Sequence, residues 1–142
     1  MPHDVRGTPR KRRDRAVKTL ALLLALAATA QAAPPDSFFR ALHIVETGGK
    51  RGAILGDNGK ALGPLQIHKA YHADARIGGD YALCADLDYS KRVVSAYLQR
   101  YAPQAWAAGD VKTLARIHNG GPRGANKAAT VAYGDKVARL TK

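Results

Sequence analysis

Cysteine and glutamate are almost absent from this 142-residue chain, which has one of each, Cys84 and Glu46. A single cysteine excludes an intramolecular disulfide, so the fold has to be held by its core. Cys84 itself is expected as a small buried hydrophobe rather than a nucleophile. Acidic side chains are also scarce, 11 against 23 Lys and Arg, for a formal charge of +12. That balance points to a polyanionic partner. Long apolar runs are lacking as well. The one candidate, residues 19–30 (TLALLLALAATA), falls short of the roughly 20 residues that a membrane span needs.

That run has another use. Arg10-Lys11-Arg12-Arg13 and Lys18 precede it, and the small-residue stretch Ala30-Gln31-Ala32 follows it. A basic region, an apolar region and a small-residue cleavage site make a secretory signal peptide over residues 1–32. The short run disfavours an uncleaved anchor, and Arg12-Arg13 lacks the apolar residues that follow in a twin-arginine signal. Export predicts a periplasmic or secreted protein that touches the membrane through its leader alone. Residues 33–142 then form one domain, expected as a monomer, large enough to bury roughly 65% of its unfolded surface. This part carries 16 Lys and Arg against nine Asp and Glu, about +7. Outside the inner membrane the polyanion at hand is peptidoglycan. The basic residues are spread along the chain and no nucleic-acid motif is present, which argues against nucleic acid as a partner.

The periodicity is helical nearly throughout, with no internal repeat after the leader. Pro34-Pro35-Asp36-Ser37 reads as a linker ending in an N-cap. Phe39, Leu42 and Glu46 then recur at helical spacing, and Gly48-Gly49 ends the helix. Asp57-Asn58-Gly59 can close a small hairpin. Pro64 can open a second helix carrying Leu65, Ile67 and Tyr71, broken by Gly78-Gly79. A longer helix is expected over 89–101, with Val94, Tyr97, Leu98 and Tyr101 inward and Pro103 as its stop. Asp110 caps a short helix bearing Val111, Leu114, Ala115 and His118, ended by Gly120-Gly121-Pro122. Thr130 caps the last helix, with Tyr133, Val137 and Leu140 in register. The class is therefore α+β, mostly α, with one small early β or loop element.

A glutamate on the apolar side of a helix is costly to bury as an anion, so it either takes a proton or has a role. Desolvation by Phe39 and Leu42 and the negative end of the helix dipole should both raise its pKa. Such a carboxyl suits proton delivery to the leaving oxygen of a glycosidic bond. An exposed helix-end glutamate is the plain alternative. No metal site or cofactor is expected. His68 and His72 stand four apart, but the glutamate of a His-Glu-x-x-His zinc motif is missing.

Three segments add to this. Val45-Glu46-Thr47-Gly48-Gly49, Gly63-Pro64-Leu65-Gln66-Ile67 with Asp57 before it, and Ile117-His118-Asn119-Gly120-Gly121-Pro122-Arg123-Gly124 resemble the invertebrate-type (destabilase-like) lysozymes. The order of these motifs is shared with soluble lytic transglycosylases and goose-type lysozymes. The resemblance covers residues 42–140, and its most specific piece is the His118 segment. It implies a lysozyme-like fold for residues 33–142, with Glu46 as general acid and Gly63, Gln66, Ile67, His118, Asn119 and Gly120 along a glycan cleft. Asp57 stands one residue from the position of the family's second carboxylate, and equally serves the Asp57-Asn58-Gly59 turn. Animal members of the class are dense in disulfides, and the single cysteine here suits a bacterial relative instead.

The implied function is that of an exported muramidase. It would cleave the β-1,4 bond between N-acetylmuramic acid and N-acetylglucosamine in peptidoglycan glycan strands. If Asp57 reaches the site, water is the final acceptor. If it does not, the sugar's own C6 hydroxyl can close on the anomeric carbon, as in lytic transglycosylases. A non-catalytic cell-wall binding protein with the same cleft is the alternative from another class.

Overall fold

The computed structural model describes residues 33–142; the leader expected over residues 1–32 lies outside them. Helix α1, Asp36–Thr47, starts with Pro35 in the cap position and Asp36 in the first turn, where a negative charge meets the positive end of the helix dipole. Phe38, Ala41 and Leu42 are its buried stripe. The inward anchor is thus Phe38 rather than Phe39, which packs edge-on against Phe38 with ring centroids 5.3 Å apart. Gly48, in the left-handed conformation at φ 66°, turns the chain out of the helix.

Three two-residue strands follow: β1 Leu55–Gly56, β2 Ala61–Leu62 and β3 Ile67–His68, antiparallel in the order β1-β2-β3. The predicted turn closes the first pair. Asp57 and Asn58 both take positive φ, and the Gly59 N–H donates to the Gly56 carbonyl at 3.0 Å. The register pairs Gly56 with Ala61, so the turn sits inside a four-residue loop, 57–60, whose left-handed positions Asn and Asp tolerate.

The segment after β2 departs from expectation. Pro64 opens no helix, and Gly63 to Gln66 form the turn between β2 and β3 instead. Gly63 at φ 83° and Gln66 at φ 51° cannot continue a right-handed helix. Leu65 and Ile67 are fully buried from this turn and strand. The helix starts only at Lys69, as α2 Lys69–Ala75, and ends on Arg76 at φ 53°, ahead of Gly78-Gly79.

A 3-10 turn at Tyr81–Ala85 buries Cys84 completely. Burial pushes the Cys84 thiol up to about 11. Helix α3, Leu87–Tyr101, is capped by Asp86, whose Oδ1 accepts the Tyr89 N–H at 2.7 Å. It carries Val93, Val94, Tyr97 and Leu98 into the core. Pro103 stops α3 and also opens a short helix the periodicity did not reveal, α4 Pro103–Ala108. Asp110 caps α5, Val111–Gly120, by accepting the Thr113 N–H at 3.1 Å.

Helix α6, Val131–Thr141, packs on both α1 and α5. Gly134 permits the approach to α5, because a Cβ there would stand 2.6 Å from the Arg116 side chain. Thr130 takes the cap position of α6 without making the cap bond. Its hydroxyl donates to the Gly124 carbonyl at 2.7 Å and accepts from Arg116 Nε at 3.0 Å. Val137 is buried as expected, whereas Leu140 faces solvent. The architecture is mostly helical α+β with a small antiparallel sheet. Among the described residues no helix is long and apolar enough to cross a membrane.

Candidate active site

A cleft of about 540 Å³ is lined by residues at the C-terminal ends of α1 and α5, in and around the small sheet, and on α2. Glu46, Asp57, Gln66, His118 and Asn119, all singled out in the sequence, line it. Gly63, Ile67 and Gly120 do not. Gly63 is buried, and a Cβ there would meet the Cys84 carbonyl oxygen. Ile67 is fully buried in the core. Gly120 lies against Thr130, where a Cβ would stand 2.6 Å from Cγ2. These three shape the walls from behind, and Gly121 takes the lining position next to Asn119.

Glu46 is set one residue from the end of α1, and its side chain is 17% exposed. Its neighbour Thr47 fixes the helix end, since the hydroxyl lies 3.0 Å from the Pro64 carbonyl and joins α1 to the β2–β3 turn. Two groups converge on Oε1 of Glu46. Tyr133 of α6 donates its hydroxyl there in a short hydrogen bond, and His118 Nε2 of α5 stands 3.4 Å away. Among the described residues no hydrogen bond or ion pair is seen at Oε2. The far nitrogen of His118, Nδ1, meets Tyr71 Oη at 3.0 Å. Tyr71 in turn stacks on Tyr97, with centroids 3.6 Å apart and rings 14° from parallel.

The electrostatics correct one expectation. Burial does push the Glu46 carboxyl up, but it is outweighed. The hydrogen bond and charge of His118, the hydrogen bond of Tyr133 and the charge of His68 together hold it below its ordinary value of 4.5. In turn, burial and the Glu46 carboxylate hold the Tyr133 hydroxyl far above its usual range, so it remains a donor. Burial, with smaller contributions from Tyr97 and Glu46, raises Tyr71 as well.

On the sheet side, Asp57 occupies the hairpin turn and lines the cleft at once. Its Oδ2 lies 3.3 Å from His68 Nε2, with both side chains about half exposed. Gln66 holds the hairpin together, donating its amide N–H to the carbonyls of Gly63 at 2.9 Å and Ile54 at 3.2 Å. It does so from a turn, not from a helix. His68 and His72 go separate ways, because His72 Nε2 meets Tyr89 Oη at 2.7 Å. Among the described residues no cluster of three potential metal ligands occurs.

Tyr71 and Tyr133 are the site residues that sequence reading passed over as core. Both sit on helix faces that point inward, and a buried phenol needs a partner for its hydroxyl. That requirement is the signal that could have marked them.

Comparison with known proteins follows the same lines. No family model matches the chain. It is 39% identical over 85 residues to a lysozyme of Ostrea edulis, covering 56% of this chain and 61% of that protein. It is 35% identical over 83 residues to a lysozyme of Meretrix lusoria, covering 57% and 68%. With invertebrate-type lysozyme 6 of Caenorhabditis elegans it shares 34% identity over 92 residues, covering 56% and 67%. The chain spans less than two thirds of some curated relatives, among them the Ostrea protein. The crystal structure of Tapes japonica lysozyme superposes with a TM-score of 0.63 at 29% identity, covering 75% of this chain and 92% of that one. An inhibitor-bound lysozyme from Meretrix lusoria superposes with a TM-score of 0.63 at 26% identity, covering 75% and 89%. The fold is thus lysozyme-like.

Proposed function

This chain belongs to the invertebrate-type lysozyme family, and from that premise we propose that it is an exported muramidase of the periplasm or the secreted fraction. Its substrate is the peptidoglycan glycan strand, cleaved at the β-1,4 bond between N-acetylmuramic acid and N-acetylglucosamine. The observation that supports this reading is one cleft lined by two carboxylates, Glu46 from the end of α1 and Asp57 from the hairpin turn, with His118, Asn119 and Gln66 also lining it. Cleavage of a glycosidic bond uses such a pair. Glu46 protonates the leaving oxygen, and Asp57 supports or attacks the anomeric carbon as positive charge develops there. Water then supplies the hydroxyl of the new reducing end, and its remaining proton returns to Glu46. The surplus of Lys and Arg favours a wall polymer rich in carboxylates.

The depressed Glu46 carboxyl has a consequence for rate. The resting site favours the anion, so the protonated acid is scarce at neutral pH. A glycan filling the cleft expels water and strengthens the desolvation that pushes the carboxyl up. The dependence of kcat/KM on pH reports the free protein, and it is expected to rise as pH falls below neutral.

The test is digestion of purified peptidoglycan by wild type beside Glu46→Gln, with products identified by mass spectrometry. Muropeptides with reducing ends from wild type, and none from Glu46→Gln, are expected. Anhydro products would replace the hydrolase with a transglycosylase. Binding without products from wild type would leave a cell-wall binding protein.

A further inference from the structure

We propose that His118 and Tyr133 confine the transferable proton of Glu46 to Oε2, and that Tyr71 makes this possible by fixing the His118 ring, so that all three are positioning residues for the acid. This deepens the muramidase reading and rests on Glu46 being the proton donor.

A carboxylic acid can carry its proton on either oxygen, but only the oxygen that faces the substrate can deliver it. In this cleft the two oxygens are unlike. Oε1 accepts the Tyr133 hydroxyl and faces His118 Nε2 at 3.4 Å. Protonating that atom would crowd a third hydrogen onto it and forfeit an existing bond, which is costly where the partners are buried. Oε2 makes no hydrogen bond or ion pair among the described residues, and Glu46 lines the cleft. The proton therefore belongs on Oε2.

The arrangement requires His118 Nε2 to carry a hydrogen, and the Glu46 carboxylate that it faces favours this, while Tyr71 holds the ring in place and suits it in either charge state. With the neutral ring protonated on Nε2, Nδ1 accepts the Tyr71 hydroxyl. When the ring is charged, Nδ1–H donates to the Tyr71 oxygen and Nε2 keeps its own. A bare Nε2 would set its lone pair against the Glu46 carboxylate. Tyr71 cannot swing away easily, because its ring is stacked on Tyr97 of α3. His118 is likewise held, with its side chain 4% exposed. Three elements thus meet at one carboxyl oxygen, since α1 brings it and α5 and α6 bring its partners, and α2 holds one of those partners from behind. The other charged groups facing the site are His68 on β3, which acts on Glu46 through its charge, and Asp57, which His68 engages. On α6, Asp135 is paired away with Lys112 at 2.6 Å.

The chain offers an unusually clean probe. Glu46 is its one glutamate, so protein labelled with carbon-13 at the glutamate carboxyl gives a single side-chain resonance. That resonance is titrated in the full protein as wild type, Tyr133→Phe and Tyr71→Phe. Each substitution keeps the ring and removes one hydroxyl, and the amide spectrum checks the fold. In parallel, kcat and KM on peptidoglycan are measured across pH. In both variants the carboxyl is expected to titrate at higher pH than in wild type. Compared at the low-pH end, where the acid form is well populated in all three proteins, their kcat should fall roughly 10- to 100-fold with KM little changed, as misplacement of a reacting group does. An unshifted titration in both variants overturns the proposal, whatever the turnover. So do wild-type kcat values at every pH, provided wild type cleaves and Glu46→Gln does not; the muramidase reading then stands alone. A wild type that cleaves nothing removes the muramidase reading, and with it the proposed role as positioning residues for an acid, even if the titrations shift.

Discussion

Replacing Gly63 by alanine should destabilise the protein far more than the same change at Gly48, although both glycines sit at positive φ. Gly48, at φ 66°, has nothing within 4 Å of where a Cβ would stand. Its cost is that of a left-handed alanine alone, about 1–2 kcal/mol. Gly63, at φ 83°, carries the same conformational cost and a collision besides, because its Cβ would land on the Cys84 carbonyl. That obstacle is backbone, pinned from behind by the buried Ser90 hydroxyl, which donates to the same carbonyl at 2.8 Å. It cannot rotate aside as a side chain would. Forcing such an overlap adds about 1–3 kcal/mol, for a total of about 2–5 kcal/mol. For a domain of this size that lowers Tm by roughly 8–20 °C, against about 4–8 °C for Gly48→Ala. Urea denaturation and thermal melts of both variants measure the difference. Under conditions where Gly63→Ala is fully folded, its KM should match wild type, since Gly63 supports the cleft without lining it. Equal losses at the two sites would refute the packing described here. A raised KM in a fully folded Gly63→Ala protein would return Gly63 to the glycan.

Other consequences are as direct. Asp57→Asn keeps a residue that tolerates the left-handed turn conformation, so stability should move by less than about 1 kcal/mol. Hydrolysis should nonetheless fall at least roughly 100-fold if the carboxylate acts at the anomeric carbon, and unchanged turnover would reduce Asp57 to a turn residue. The depressed Glu46 carboxyl also links stability to pH. Its ionisation favours the folded state above its ordinary value of 4.5. That contribution disappears as pH falls through the lower folded value. The stability advantage of wild type over Glu46→Gln in urea should therefore be full near pH 7 and shrink as pH falls below 4.5, and an advantage that does not vary with pH would contradict the contacts at Oε1.

Much of the frame is legible in the sequence because local chemistry decides it. Asp110 and the stripe Leu114, Ala115, His118 specify α5, and Asp57-Asn58-Gly59 specifies the hairpin turn. Gly48 marks the end of α1, where Glu46 stands. The segment from Gly63 to His68 defeats this kind of reading. Leu65, Ile67 and Tyr71 fit a helical stripe, but the chain turns through Gly63 and positive-φ Gln66 and buries the same residues from a strand. What selects that path is Gly63 lying against Cys84, a tertiary contact that no local pattern carries. Pro103 illustrates a different limit, since one proline can end a helix and begin the next. The site shows the same division. Scarcity, helical spacing and the flanking motifs singled out Glu46, but its protonation balance depends, besides burial, on a tyrosine 87 residues away and on a histidine held by Tyr71. Helix periodicity says that Tyr71 and Tyr133 point inward, and nothing about what their hydroxyls meet.

The most direct trial of the account compares wild type and Glu46→Gln for turnover and for binding on the same peptidoglycan, below neutral pH. Wild type should release muropeptides, while Glu46→Gln should bind the polymer as tightly and lose at least roughly 1000-fold in rate, as removal of a group acting in the transition state does. Turnover by Glu46→Gln at anything near the wild-type rate would contradict the central claim and move the chemistry to another group in the cleft.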